Sequence, residues 1–308
     1  MMINGMNMNK PFRLINRYGG KGNMAHHYQP IIQEMALSQG LDVFVDFMGG
    51  AGTISLLALN LKDKEGKPMF QKVVFNDIDP CVTSIFRVAK DKQMVDELIP
   101  MLLGVTYCKG SFDYAHNKLK DIRAGKEKVD DLTMAFLSII ENRMSFNSAC
   151  NSFKPYRNEY EKRKYQETFF QRALELKYAP EQLERLVVKE GSYIDLIHDN
   201  REEHLFDYNR SLLFFDPPYA DFERSAKKVY HDEMGFIDHM VLIQAISYLK
   251  HVLLCGYQQG VGGHLGSIYG ILDDFKDIQK LDLGAMHRPS SSKPLTEASP
   301  HEILWVKA

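Results

Sequence analysis

A strand–turn–helix–strand succession between residues 43 and 80 constrains the fold of this 308-residue chain more than any other feature. The apolar run VFVDF (43–47) leads into the glycine-rich stretch MGGAGT, an apolar helical segment and then KVVFNDIDP (72–80), which ends in acids. This order is typical of the nucleotide-binding βαβ unit of parallel sheets. Glycines in such a turn let the backbone approach a ligand and leave helix N–H groups pointing at it. The sequence therefore predicts an α/β fold with a ligand site at the glycine turn, although such turns also occur as packing features.

Further apolar runs extend the predicted sheet beyond a helical region. Strand patterns thin out after about residue 81 and helical periodicity then dominates. Strands resume at 185–193, 211–219, 251–257, 278–283 and 302–308. We therefore expect a catalytic, cofactor-binding domain built from residues 1–111 and 187–308, interrupted by a mostly helical insert at 112–186.

Charge and cysteine usage narrow the kinds of ligand. The formal net charge is −2, so any surface for nucleic acid must be local. The four cysteines are scattered without CxxC spacing, which argues against a zinc site and against a disulfide framework. We expect no metal cofactor. The sequence has no apolar signal segment and no stretch as long as a membrane span, so we expect a cytoplasmic protein without a membrane partner.

The stretch LLFFDPPYADF (212–222) predicts a buried strand that ends in a stiff turn. Pro217 and Pro218 lack amide donors and have a fixed φ, so they hold Asp216 and Tyr219 at the carboxyl end of the strand. The Asp216 carboxylate and a proline-fixed carbonyl offer two acceptors, which match the two hydrogens of an exocyclic amine. Tyr219 offers a face on which a planar base can stack. The turn therefore fits a base amine that acts as a nucleophile.

Two further acids suit a nucleoside-containing cofactor. Asp46 directly precedes the glycine turn, and Asp77 follows at the tip of the next predicted strand. An acid at that tip can accept hydrogen bonds from both ribose hydroxyls, whereas it would repel a bare phosphate. The pattern therefore favours a nucleoside cofactor held beside the base-binding turn.

Six motifs follow one another along the chain: RYGGK (17–21), DFMGGAGT (46–53), NDIDP (76–80), ENRMSFNSACNSFKPY (141–156), GSY (191–193) and DPPY (216–219). In this order they resemble the motifs of the amino-group DNA methyltransferases of the Dam type, which methylate adenine at N6. The resemblance implies a Rossmann-like S-adenosylmethionine-dependent methyltransferase sheet with helices on both faces, and a helical insert that serves as the target-recognition domain. It also implies a flipped-out adenine in double-stranded DNA as substrate, S-adenosyl-L-homocysteine as product, a bacterial or phage origin and a restriction endonuclease as one candidate partner.

The same resemblance implies a role for each matching residue. Asp216, Pro217, Pro218 and Tyr219 would form the catalytic turn that holds the target adenine. The cofactor would be bound or closed in by Tyr18, Lys21, Asp46, Phe47, Gly49, Gly50, Ala51, Gly52, Thr53, Asp77, Ile78, Ser192, Tyr193 and Asp216. The chain departs from the family pattern at Phe47 and Met48, where Pro and Phe are usual, at Ser192, where Asp is usual, and at Ser148, where Gly is usual.

A local excess of basic residues predicts the DNA surface. Residues 142–164 contain six Lys or Arg against two Glu, interleaved with aromatic residues. Basic side chains of this kind contact phosphates, and some reach base edges. The same charges also fit the solvated face of a helix. The candidate DNA-binding residues are Arg143, Asn147, Lys154, Arg157, Lys162, Arg163 and Lys164.

Two other functions fit parts of this pattern. One is methylation of a different amine, such as cytosine N4, adenine in RNA or a protein glutamine. The other is a module that binds the cofactor or DNA but has lost catalysis, which the departures at Phe47, Met48 and Ser192 suggest. Asp at position 216 and the NR..FN stretch favour adenine in DNA.

Overall fold

A computed structural model describes residues 2–3, 6–7, 14–16, 21–218, 234–258, 268–285 and 301–308. Two of the predicted site residues, Tyr18 and Tyr219, lie outside these ranges. The described part contains a seven-stranded sheet and a separate two-stranded antiparallel ribbon of β1 (Met2–Ile3) and β2 (Met6–Asn7).

The sheet confirms all seven predicted strands. Its strands run in the order β5-β4-β3-β6-β7-β9-β8. Every neighbouring pair from β5 to β7 is parallel, and β9 is antiparallel to both β7 and β8. The strands are β3 (Val43–Asp46), β4 (Lys72–Asp77), β5 (Leu186–Glu190), β6 (Ser211–Phe215), β7 (Val252–Gln258), β8 (Ile278–Ala285) and β9 (His301–Lys307).

Helices cover both faces of the sheet because its central strands are apolar on both sides. Successive side chains in a strand point to opposite faces. Phe44 and Phe214 accordingly join one hydrophobic core with α1 (Ala25–Gln39), α2 (Thr53–Asn60) and α3 (Pro80–Lys90). Val45 and Phe215 join a second core with α9 (Tyr193–Glu203) and α10 (Phe236–Tyr248). The predicted α/β fold is thereby confirmed.

The strand order reverses between β3 and β6. The space outside the carboxyl ends of these two strands is called the crevice below. The chain proceeds outward in one direction from β3 to β4 and β5, and in the other direction from β6 to β7. Ligands of open α/β sheets bind where the order reverses, outside the carboxyl ends of the strands. Both the glycine turn and the DPP turn leave the sheet at this point.

Five helices lie between α3 and β5, where the sequence predicts the insert. Their buried residues belong to the same hydrophobic cluster as the sheet residues Phe44 and Val73. The predicted boundary at residue 112 falls inside the second of these helices, and the first of them begins well before it, at Lys92. The helices are α4 (Lys92–Leu103), α5 (Lys109–Arg123), α6 (Asp131–Met144), α7 (Glu159–Glu175) and α8 (Ala179–Gln182). Assignment of 112–186 as a recognition domain stays a prediction.

No helix in the described part of the chain combines the length and the apolar character needed to span a membrane.

Candidate active site

The glycine turn after β3 is shaped by packing as well as by ligand access. A Cβ added at Gly49 would lie 2.0 Å from the Phe75 ring, and one at Gly52 would lie 2.3 Å from the Phe86 ring. Gly50 and Gly52 both have left-handed φ values, +53° and +70°, but only at Gly50 would an added Cβ meet no atom within 4 Å. Gly49 and Gly52 therefore permit close internal packing, and Gly50 is the glycine that borders open space.

Asp77 holds this turn in place. Its Oδ2 accepts a hydrogen bond from the Gly50 N–H at 2.7 Å, and its Oδ1 accepts one from the Asp79 N–H at 2.9 Å. The side chain of the next residue, Ile78, is 49% exposed. Asp77, the predicted ribose acceptor, therefore also fixes the glycine turn, while Ile78 presents an accessible apolar surface beside it.

Asn76 connects three strand ends, and the sequence analysis did not single it out. Its buried side-chain amide donates to the Phe47 carbonyl at 3.0 Å and to the Gly191 carbonyl at 2.8 Å. Its own carbonyl accepts from the Gly49 N–H at 2.7 Å. The NDIDP motif signalled this position, since an amide between an apolar strand and an acid can both donate and accept.

Asp46 is a buried acid with an incomplete set of partners. Its Oδ2 accepts from the Ser55 hydroxyl at 2.6 Å, whereas its Oδ1 has no hydrogen-bond partner among the described residues. Desolvation raises the pKa of Asp46 to about 7 against the opposing effect of the Ser55 hydrogen bond, and the charges of Asp216 and Asp77 raise it further. Asp46 therefore lies close to two other acids, and a nearby cation would stabilise its ionised form.

Asp216 follows β6, and a buried lysine contacts it. Lys21 Nζ lies 2.8 Å from Asp216 Oδ1, and the Lys21 side chain is only 3% exposed. Desolvation raises the pKa of Asp216 to about 6, although the Lys21 charge acts in the opposite direction. Pro217 behind it is buried and Pro218 is half-buried. Two predicted residues that are far apart in sequence, Lys21 and Asp216, are thus brought together.

Lys21 has a second acidic partner, which the sequence analysis missed. Its Nζ lies 3.0 Å from Oε1 of Glu302, a fully buried residue of β9. The Tyr28 hydroxyl donates to the same oxygen at 2.5 Å and lies 3.3 Å from the Cys255 thiol. The available signal was an acid directly before the apolar run ILWV.

One set of these residues has metal-ligating chemistry. Asp216, Cys255 and Glu302 can each place one ligand atom within 4.8 Å of the others. However, the Lys21 ammonium already contacts both carboxylates of this set. The geometry is therefore explained by an anchored lysine, and the expected lack of a metal stays a prediction.

Ser192 and Tyr193 lie where β5 leads into α9. The Ser192 hydroxyl accepts from the Asp195 N–H at 3.2 Å, and Asp195 Oδ2 accepts from the Ser192 N–H at 2.8 Å, which forms a capping box. Tyr193 is buried, and its hydroxyl donates to the Asp238 carbonyl at 3.2 Å. Serine here therefore starts the helix, and contact of either residue with a cofactor stays a prediction.

The Asn–Arg pair of the predicted recognition stretch contacts the N-terminal segment. Asn142 donates to the Asn16 carbonyl at 2.6 Å and accepts from the Asn16 N–H at 3.2 Å. Arg143 donates to the Leu14 carbonyl at 2.5 Å. These bonds fasten the end of α6 to residues 14–16, so Arg143 has a structural contact beside its predicted contact with DNA.

Residues 144–154 after α6 fold back on themselves. Phe146 N–H donates to the Ser152 carbonyl at 2.8 Å, and Lys154 N–H donates to the Met144 carbonyl at 2.7 Å. Asn147 and Ser148 have φ values of +51° and +55°, a conformation that favours glycine. Exposed Asn147 thus lies at the tip of a loop, and Ser148 adopts the backbone shape that the usual glycine would allow.

The predicted basic residues differ in their freedom to bind phosphate. Lys154 Nζ lies 4.3 Å from the Tyr165 ring centroid, and Lys162 Nζ lies 3.6 Å from Glu159. Arg163 and Lys164 are exposed on α7, and no ion pair involves either among the residues described. Arg157 is also exposed just before this helix. The most accessible charges are therefore at positions 157, 163 and 164.

The charges of the crevice suit a cationic nucleoside cofactor. Asp46, Asp77 and Asp216 are close enough for the charges of the other two to act on Asp46, and one carboxylate oxygen of Asp46 has no hydrogen-bond partner in the described structure. S-adenosylmethionine carries a sulfonium, an ammonium and a carboxylate group, so its net charge is positive, and opposite charge stabilises buried carboxylates. The residues present therefore fit this group.

Comparison with known proteins identifies the family. No curated protein matches the chain. The family model for D12 class N6 adenine-specific DNA methyltransferases matches residues 18–253, which include the glycine turn, the Asp77 strand tip and the DPPY motif. The chain therefore belongs to this family and is an S-adenosylmethionine-dependent enzyme that methylates adenine N6 in DNA.

Proposed function

We propose that the crevice outside β3 and β6 holds the cofactor and a flipped-out adenine side by side, with Asp216 as the residue that grips the reacting amine. The observation that carries this proposal is the convergence of Asp46, Asp77 and Asp216, since the charges of the latter two act on the buried Asp46 carboxylate. A site with excess negative charge stabilises a cationic methyl donor and the positive charge that develops on an attacking amine.

The cofactor would lie along the glycine turn. Asp46 would face its charged methionine part, and Asp77 would accept from the ribose while it keeps Gly50 in place. Ile78 offers an exposed apolar side chain for the cofactor adenine. The remaining residues proposed to line or close the site are Tyr18, Lys21, Phe47, Gly49, Ala51, Gly52, Thr53, Ser192 and Tyr193.

Asp216 and the prolines would position the target amine. Lys21 occupies Asp216 Oδ1, so Oδ2 and the Pro217 carbonyl are the acceptors for the two amine hydrogens. Binding both hydrogens turns the nitrogen lone pair out of conjugation with the ring. When bound, S-adenosylmethionine supplies an electrophilic methyl group and becomes S-adenosyl-L-homocysteine. Asp216 stabilises the charge that builds on nitrogen, and the surplus amine proton leaves after the new N–C bond has formed.

Access to Asp216 requires the adenine to leave the duplex. A half-buried carboxylate at the base of a crevice cannot reach N6 inside stacked DNA, and enzymes that modify bases solve this by base flipping. Tyr219 would stack on the extruded base.

The DNA surface would be formed by residues 143–164. Asn147 lies at a loop tip directly after α6, and Arg157, Arg163 and Lys164 are exposed nearby in sequence. Contacts to phosphate from these side chains position the duplex, whereas the loop is the better candidate for contacts to base edges. Lys154 and Lys162 are half-buried, so they would contact only phosphates that lie close to the protein surface. Arg143 would contact DNA from the base of the loop.

Mass spectrometry of digested DNA tests the assignment of Asp216. DNA free of N6-methyladenine is incubated with the protein and S-adenosylmethionine, and wild type is compared with Asp216→Ala. Loss of one preorganised electrostatic partner should lower the rate of N6-methyladenine formation by roughly 10²- to 10³-fold. Circular dichroism checks the fold and calorimetry checks cofactor binding. A near-normal rate in Asp216→Ala would overturn the assignment, and N4-methylcytosine as the wild-type product would overturn the choice of adenine.

A further inference from the structure

Glu302 is a fully buried acid for which the proposed mechanism gives no role. It lies in β9 opposite Tyr257 of β7, inside the sheet. An ionised carboxylate without partners in such a place costs several kcal/mol, so buried charges are paired and hydrogen-bonded. Tyr28 and Lys21 both contact Glu302 at Oε1.

Lys21 is held between two carboxylates. Its ammonium lies 2.8 Å from Asp216 Oδ1 and 3.0 Å from Glu302 Oε1. A lysine side chain is long and flexible, so a contact with Asp216 alone would leave the ammonium poorly fixed. Glu302 is itself held by its position in β9 and by the Tyr28 hydroxyl, so it supplies a rigid second anchor for the ammonium.

Two of the other groups around this pair, Tyr28 and Cys255, stay neutral. The titratable groups that face Asp216 and Lys21 are Tyr28 on α1, Cys255 on β7 and Asp46 on β3, besides Glu302 on β9. Desolvation raises the pKa of Tyr28 and of Cys255 well above their ordinary values, so neither carries charge near neutral pH. Tyr28 and Cys255 therefore add no charge beside Lys21, and the carboxylates that contact its ammonium are those of Asp216 and Glu302.

We propose that Glu302 is a positioning residue, which together with Tyr28 fixes the Lys21 ammonium against Asp216 Oδ1 so that Asp216 Oδ2 faces the target amine. This role rests on the proposed function of Asp216. Glu302 also limits how strongly Lys21 acts on Asp216, because its charge opposes that of the ammonium. The Asp216 carboxylate therefore remains a good hydrogen-bond acceptor although it is paired with Lys21.

Glu302→Gln separates this role from simple packing, because the amide has nearly the same shape as the acid. With the opposing charge removed, Lys21 lowers the pKa of Asp216 further, so the acid limb of the kcat profile should move to lower pH. The ammonium is also held less firmly, so kcat at pH 8 should fall roughly tenfold or more, as is typical when an outer partner of a functional group is lost. The measurement is methyl transfer to DNA between pH 5 and 9.

Tyr28→Phe provides a second variant with the opposite signature. Without the hydroxyl, Glu302 draws the Lys21 ammonium more strongly and away from Asp216. The pKa of Asp216 should then rise, and the acid limb should move to higher pH. The ring contact of Tyr28 with Phe214, at 5.8 Å between centroids, is retained by phenylalanine. If Glu302→Gln does not fold, this variant carries the test.

Asp273→Asn is the matched control. Asp273 accepts from Trp305 Nε1 of the same strand at 2.7 Å and is paired with Lys280 at 2.8 Å, so its loss perturbs β9 by an equal change of charge away from Asp216. Its acid limb and kcat should match wild type. Wild-type acid limbs in both Glu302→Gln and Tyr28→Phe would overturn the positioning role alone, whereas a wild-type protein that forms no N6-methyladenine would overturn the proposed function itself.

Discussion

Two carboxylates at the crevice, Asp46 and Asp216, have pKa values raised to about 7 and about 6. Desolvation is the largest cause for both, and each is raised further by the charge of another acid. Such shifts oppose folding, because the ionised forms are less stable in the folded protein than in water. The ionised forms of Asp46 and Asp216 therefore lower the stability of the ligand-free protein, and a cationic ligand would offset this loss.

This arrangement predicts how Asp46→Asn changes the pH dependence of stability. The folded pKa of Asp46 lies above its ordinary value of 3.8, so its contribution to stability is fully present below about pH 4 and is lost as pH rises through about 7. The ligand-free wild type should therefore lose stability relative to Asp46→Asn between pH 5 and 8. Thermal unfolding of the two proteins across this range measures the difference, in which the other titrating groups cancel.

S-adenosylmethionine should stabilise the wild type more than Asp46→Asn at pH 8, because the variant has one anion fewer to offer the cofactor. Equal melting curves for the two ligand-free proteins at every pH would show that Asp46 is not destabilised by burial.

At the scale of single residues, the sequence identified those groups whose chemistry is tied to a local motif. Asp46 and Asp216 were predicted from short patterns and Lys21 from the family resemblance. In the structure Lys21 contacts Asp216, whose charge in turn acts on Asp46. Glu302 was not predicted, because its partner Tyr28 is 274 residues away and the pairing depends on where β9 enters the sheet. Phe47, a departure from the family pattern, is explained by stacking on Phe215 at 4.3 Å.

The glycine turn is an element whose members have different reasons to be glycine. Gly49 packs against Phe75, whereas Gly50 is constrained by its backbone conformation alone. Gly49→Ala should lower the free energy of unfolding by roughly 1–3 kcal/mol or more, because the new Cβ forces the ring and the turn apart. Gly50→Ala should cost about 1–2 kcal/mol, the strain of a left-handed alanine. Chemical denaturation of both variants measures the two losses.

Cofactor binding separates the two glycines further. Gly50 borders open space, so Gly50→Ala should weaken S-adenosylmethionine binding in a protein that still folds. A Gly50→Ala variant with wild-type affinity would show that the cofactor does not approach this part of the turn.

Elements were predictable where one periodicity dominates. Most of the seven strands contain a short apolar run, whereas β8 alternates apolar and polar residues, and all seven appear within a few residues of the predicted bounds. The insert was harder to delimit, because its helices share a core with the sheet and no break in hydrophobic pattern marks a boundary. The strand order and the antiparallel direction of β9 were not predicted, because they depend on pairing between distant segments that no local pattern shows.

For the whole molecule, a net charge of −2 leaves no general attraction for DNA. Binding must then depend on a few exposed cations. Changing Arg163 and Lys164 together to Gln should weaken DNA binding and reduce the slope of log K against log salt by about 2, if each contacts one phosphate. Fluorescence anisotropy over a salt series measures both quantities.

The control is Lys62→Gln with Lys64→Gln, which removes the same charge from exposed positions beyond α2. This variant should bind DNA as wild type does. Identical salt slopes for the two double variants would place the DNA surface elsewhere and would favour a solvated helix face for residues 162–164.

The position of β9 determines when the proposed active site is completed during synthesis. The glycine turn and the DPP turn leave the ribosome before β9, which begins at His301 and lies between β7 and β8 in the sheet. Until β9 is made, Lys21 lacks the Glu302 carboxylate that lies beside its ammonium in the folded protein. A truncated chain that stops before β9 would therefore carry the motifs of the proposed site without the second anchor of its lysine.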